Sequence, residues 1–211
     1  MTVLEPLVGR GRTVLTGSMG TPRLRDHGYV ETEWRCSGSA GSYESPSGCP
    51  GDGRWNLEVA TTAPFATRIV VRPPTDSSDC SGTVVVEWLN VSSGADAAPL
   101  YGFLAPELIR RGHVWVGVSA QWSGIVPAPP LVAVHGADPD RGSGGIRLQA
   151  LQEAEPQRYG SLSHPGDAYC YGMFTTVVDA LAAPGNAVLG DLSPQRFLAV
   201  GESQSAYALT T

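Results

Sequence analysis

Residue types and spacing concentrate the chemistry near the end of the chain. A short apolar run, Arg196 to Val200, is followed at once by Gly201-Glu202-Ser203-Gln204-Ser205-Ala206 and the start of a helix-forming stretch. A serine on a tight strand-to-helix turn projects its hydroxyl away from the backbone and can act as a nucleophile. Such a turn brings neighbouring backbones too close for bulky side chains two positions before and after the serine, a demand met by Gly201 and Ser205. The backbone N–H of Gln204, at the start of the helix, then faces the place where negative charge would develop, and is the candidate oxyanion donor. Gly-x-Ser also occurs at Gly117-Val118-Ser119, but Ser119 closes a strand-like run with no helix directly after it and reads as structural.

A serine hydroxyl attacks well only when a base removes its proton. The four histidines, His27, His113, His135 and His164, all precede Ser203, and no Asp, Glu or His follows it. His113 begins a buried strand, His27 precedes an edge strand, and His135 and His164 fall in a long loop. All four read as loop or structural groups, with His164 shaping a pocket wall or capping the next helix.

The elements that must hold this serine are legible from periodicity. Residues 29 to 36 alternate apolar with polar, the period-2 mark of a half-buried strand near a sheet edge, and a Ser/Gly/Pro-rich loop is expected from Ser37 to Gly53. Phe65 to Arg72 reads as a strand stopped by Pro73-Pro74. Thr83 to Leu89 reads as a central strand covered on both faces. Helical spacing of Leu100, Phe103, Leu104, Leu108 and Ile109 predicts a helix from Pro99 to Arg111, ended by Gly112, with Pro106 causing either a kink or a second start. His113 to Ser119 is the next buried strand.

Residues 122 to 166 show no sustained period apart from a short helical stretch near Ile146 to Ala154, so a long functional loop or cap is expected there. Asp167 can cap a helix running to about Ala183. This alternation predicts an α/β fold, a mostly parallel sheet opened by antiparallel strands and flanked by helices, in a single domain.

Composition narrows the function classes. The 211 residues are 42% hydrophobic and 16% charged, enough for a core, and 26 Gly with 17 Pro predict many loops. The net charge is −6, every basic residue is Arg, and the one adjacent basic pair is Arg110-Arg111, so neither a nucleic-acid nor an anionic-membrane partner is expected. No apolar run has the length of a membrane helix and Met1 to Gly20 lacks signal-peptide character, which favours a cytoplasmic location. Cys36, Cys49, Cys80 and Cys170 form no Cys-x-x-Cys pair, so no metal site is expected, and either two disulfides or four free thiols fit the count. No Gly-x-Gly-x-x-Gly follows a strand, which argues against a dinucleotide cofactor.

The run Val200 to Ala206 resembles the nucleophile elbow of the α/β-hydrolase superfamily, and more narrowly that of a group of bacterial proteins described as α/β-hydrolase domain proteins. Tyr29-Val30-Glu31, Glu87-Trp88-Leu89-Asn90-Val91-Ser92-Ser93-Gly94, Val116 to Gln121 and Arg158 to Asp167 support the resemblance, in order, from about residue 28 onward. The resemblance implies Ser203 as nucleophile, the Gln204 N–H as one oxyanion donor, and the loop Asn90 to Gly94 as the place of the second, from Val91 or Ser92. Ser205 stands where Gly is commoner, and the loop differs from the His-Gly-Gly-Gly type. Family order places an acid and then a His after the serine. The chain is therefore expected to be the N-terminal part of a hydrolase, inactive by itself, with the elbow strand left with an unpaired edge and uncovered apolar faces.

These features imply a serine hydrolase acting on a small carboxylic ester or related acyl substrate through an acyl-enzyme, without metal or cofactor. The alternative is a non-catalytic protein of the same fold whose long loop binds a ligand or partner.

Overall fold

The computed structural model describes residues 1–17, 20–129 and 148–210. Six strands form one sheet in the order β1-β2-β3-β5-β4-β6: β1 Val3–Pro6, β2 Thr32–Glu44, β3 Glu58–Arg72, β4 Thr83–Trp88, β5 Val114–Val118 and β6 Arg196–Val200. The helices are α1 Pro99–Arg110, α2 Trp122–Ile125, α3 Leu151–Ala154, α4 Pro156–Tyr159, α5 Cys170–Ala182 and α6 Gln204–Leu209. Among the described residues no helix is long and apolar enough to cross a membrane, and all four cysteines are free thiols.

The sheet is mixed and mostly antiparallel, which corrects the expected mostly parallel sheet. β1 with β2, β2 with β3, and β3 with β5 pair antiparallel, while only β4 with β5 and β4 with β6 pair parallel. The reason lies in the connections. A parallel pair needs a crossover, which α1 supplies between β4 and β5, whereas β2 and β3 are joined as a long hairpin. Alternation within a strand is the same for either direction, so the sequence carried no sign of it.

The expected loop from Ser37 to Gly53 is another correction, because β2 continues through it to Glu44. Small residues are used there for close packing. α5 lies so near β2 that a side chain on Gly172 would reach the main chain of Gly41, its amide nitrogen at 2.7 Å. α1 runs unbroken through Pro106, with Pro99 in its first turn. The expected start of α5 also shifts: residues 167–169 form a 3-10 turn, and Asp167 Oδ1 accepts from the Trp122 N–H (2.8 Å) instead of capping the helix. Of the helical stretch expected near 146 to 154, residues 151–154 are helical and 146–147 lie outside the described residues.

Alternation divides the core by face. Ile69, Val71, Val84, Val86, Trp88, Val114, Val116 and Val118 pack under α5, with Trp88 stacked on Phe174 at 5.0 Å between ring centroids. Val70, Val85, Leu89 and Trp115 face α1, against Tyr101, Ala105 and Leu108. β6, which precedes the candidate serine, has β4 as its one ladder partner among the described residues and exposes Arg196, Leu198 and Ala199.

Candidate active site

β6 ends at Val200, opposite Glu87 of β4, and the chain turns through Gly201 and Glu202 into α6. Ser203 caps that helix with φ 54° and ψ −116°, the one non-glycine residue with positive φ among the described residues, and its side chain is exposed. A Cβ at Gly201 would lie 2.6 Å from the carbonyl of Ser205 and 2.9 Å from the Ala206 nitrogen, so the turn closes only around glycine there. Ser205 is fully buried; its hydroxyl donates to Glu202 O (2.9 Å) and accepts from Glu202 N–H (3.3 Å). Serine at this position therefore ties the turn to the main chain of Glu202. Among the described residues the N–H of Gln204 has no acceptor, as a first-turn amide should not.

The β4–α1 loop approaches the elbow. Its base is pinched by Asn90 and Ala97, which exchange both backbone hydrogen bonds at 2.9 Å, and Gly94 N–H closes a turn onto Val91 O. Ser92 N–H donates to Asn90 Oδ1 at 2.9 Å, while the Val91 N–H has no acceptor among the described residues. Asn90 is buried and both ends of its amide are engaged, which closes the Asn90-Val91-Ser92 sequon to a glycan in the folded state.

Two buried charged groups hold this end of the sheet, and the sequence reading missed both. Glu87 has no exposure; its carboxylate accepts from Leu100 N–H (3.0 Å), Tyr101 N–H (2.9 Å) and the Trp115 indole (2.9 Å), fixing the start of α1 against β4 and β5. Burial pushes its pKa up, against the pull of those three donors. Arg68, also fully buried, donates to Asp96 Oδ2 (2.7 Å), Glu33 Oε1 (3.1 Å), Val14 O (2.5 Å) and the Ser119 hydroxyl (3.1 Å). Ser119 in turn donates to Asp96 Oδ2, and Tyr159 and Arg158 complete the shell of Glu33. Ser119 is thus a structural serine with its oxygen spent. The available signal was an arginine in the middle of the apolar run from Phe65 to Val71.

The histidines do not gather at Ser203. His164 is buried, donates from Nε2 to Ala120 O (3.0 Å) and accepts at Nδ1 from Gly166 N–H (3.1 Å), and burial lowers its pKa. His113 Nδ1 bonds the Ser81 hydroxyl at the opposite end of β4, His27 ends an exposed 3-10 turn, and His135 lies outside the described residues. No group of three or more His, Cys, Asp or Glu among the described residues could hold a metal ion. A cavity of about 270 Å³ lined by Ser77, Ser78, Cys80, Asp191 and Gln195 also lies at the far end of the parallel strands, away from the elbow.

A family model described as an alpha/beta hydrolase domain matches residues 3–211. No curated protein matches the chain.

Proposed function

Because the chain belongs to the alpha/beta hydrolase domain family, we propose that it is a serine hydrolase that cleaves a small carboxylic ester or related acyl compound through an acyl-enzyme. The observation that carries this reading is Ser203 itself, an exposed hydroxyl held at positive φ between a parallel strand and a helix. That geometry is costly for any residue but glycine and recurs where a side chain must be presented to a substrate.

In this reading Ser203 Oγ attacks the acyl carbon as its proton passes to a histidine base. The oxygen that becomes negative accepts from the N–H groups of Gln204 and Val91, neither of which has an acceptor among the described residues. Val91 is preferred to Ser92, whose N–H is held by Asn90 Oδ1. Collapse of the tetrahedral intermediate breaks the bond to the alkoxy oxygen, which takes from the imidazolium the proton that Ser203 gave up and leaves as the alcohol. Water, activated by the same base, then releases the acid and restores Ser203. His164 is unsuited as that base, since its Nε2–H is donated to Ala120 O and its Nδ1 lone pair to Gly166. Among the described residues no histidine is hydrogen-bonded to Ser203.

The test is labelling of the full-length protein by a fluorophosphonate, with the modified peptide identified by mass spectrometry, alongside hydrolysis of p-nitrophenyl acetate. Label on Ser203, and loss of both signals in Ser203→Ala, is the expected result; the rate should fall by at least about a thousandfold. A folded Ser203→Ala protein that still hydrolyses the ester at the parent rate would overturn the reading. A folded, full-length protein that takes no label would favour a binding role.

A further inference from the structure

The loop that faces Ser203 is fastened to the elbow by one side chain. Asn90 Nδ2 donates to the main-chain carbonyl of Glu202, the residue before Ser203, at 3.0 Å, with the Glu202 carboxylate at 3.4 Å as a secondary acceptor. At the other end of the same amide, Oδ1 accepts from Ser92 N–H at 2.9 Å. The partners leave no freedom in the amide's orientation, because Ser92 offers only a hydrogen and the Glu202 carbonyl only lone pairs. Asn90's own backbone is locked to Ala97 through both hydrogen bonds, so its side chain leaves a fixed base in a fixed direction. Asn90 itself is buried and its bonds to Glu202 and Ser92 are part-buried, which limits the competition they meet from water.

From this we propose that Asn90 is a positioning residue that sets the separation between the two oxyanion donors, the N–H of Val91 and the N–H of Gln204. The proposal rests on the hydrolase reading above. Asn90 touches no substrate. It acts by joining the residue before Val91 to the residue before Ser203, so the two donors cannot drift apart without breaking a part-buried hydrogen bond. An amide suits this place because it must accept from an N–H and donate to a carbonyl at once. A carboxylate offers only lone pairs, and a hydroxyl is too short to span loop and elbow.

Asn90→Asp and Asn90→Ser separate this role from that of a loop former. Both retain an oxygen able to accept from Ser92 N–H and keep the local turn, while both remove the link to Glu202. In the full-length protein, with p-nitrophenyl acetate as probe, Asn90→Ser is expected to fold with an unfolding midpoint within a few degrees of the parent, and Asn90→Asp, which sets a carboxylate beside that of Glu202, to fold with a lower one. Each should keep KM within about threefold and lose about a hundredfold in kcat, as misplacement of a donor by a fraction of an ångström to an ångström implies. A folded variant that keeps kcat within threefold, a loss confined to KM, or failure of both variants to fold overturns the proposal. Ser203→Ala is measured in parallel: if it keeps the parent rate, the hydrolase reading itself has failed and the proposal falls with it.

Discussion

The two faces of the sheet are built on different principles. Under α5, Ile69, Val84, Val86, Val116, Met173, Val177 and Leu181 make a cluster of apolar side chains, all 1% exposed or less. Under α1, the apolar residues share the face with Glu87, Arg68 and Arg72, and Arg72 lies 4.0 Å from the Tyr101 ring centroid and 4.8 Å from that of Trp115. Apolar packing stabilises in proportion to area and is nearly indifferent to direction. Buried ions gain little net stability, since desolvation offsets their attraction, but their hydrogen bonds are directional. The difference teaches where rigidity is needed: the polar face holds the start of α1 and the loop before it, through Glu87 to Leu100 and Tyr101 and through Arg68 to Asp96. That loop is the one facing Ser203.

The comparison breaks most readily at Arg68. Replacing it with Met leaves Glu33 and Asp96 buried without their shared cation, and a loss of about 4 kcal/mol in urea unfolding is expected, with slower fluorophosphonate labelling of whatever remains folded. A neutral Arg68→Met would show that the polar face is dispensable. On the other face, Met173→Ala should cost about 3 kcal/mol by opening a cavity, yet leave the labelling rate of the folded protein unchanged. Equal damage to labelling from both substitutions would erase the distinction. Glu87→Gln keeps the shape but turns an amide N–H₂ toward one of three donors. A loss of about 2 kcal/mol is expected, seen first as faster hydrogen exchange at Leu100 and Tyr101.

The smallest effect belongs to His164, at the rim of the sheet. Burial holds its pKa below the usual 6.5, so in acid the unfolded chain takes up the proton before the folded one does. The stability this neutral histidine contributes is complete above pH 6.5 and declines as pH falls from there toward its lowered folded value. Urea midpoints measured at pH 7.5 and 5.5 should differ less in His164→Gln than in the parent. His113, lowered by burial in the same direction, leaves a residual slope.

Local pattern located β4, β5, β6 and α1 closely, β4 and β5 as runs buried on both faces, but α1 buries Tyr101, Ala105 and Leu108 while Phe103 and Leu104 of the expected apolar period stay exposed. It failed where packing used residues against their habit. Gly38 to Ser42 reads as loop, yet forms strand because α5 requires a nearly bare backbone beneath Gly172. β1 was missed because its four residues lie at an edge with little buried surface. The strand-to-helix turn at Ser203 was legible since its crowding dictates residue types at fixed spacing. The polar network was not, because Arg68 meets partners 28 and 35 residues away and no local period records such distances. Asn90 stood in plain view as half of a sequon, and only the distance to Glu202 gives it a role.

The φ of 54° at Ser203 carries a consequence for the folding equilibrium. A side chain in that backbone region stores about 1–3 kcal/mol of strain that the rest of the fold must absorb. Ser203→Gly would release it, giving a protein that melts higher than its parent and has lost the hydroxyl. Thermal screening for stabilised variants would therefore tend to select against the residue proposed to do the chemistry, and a gain in melting temperature at this site would mark the loss of its function.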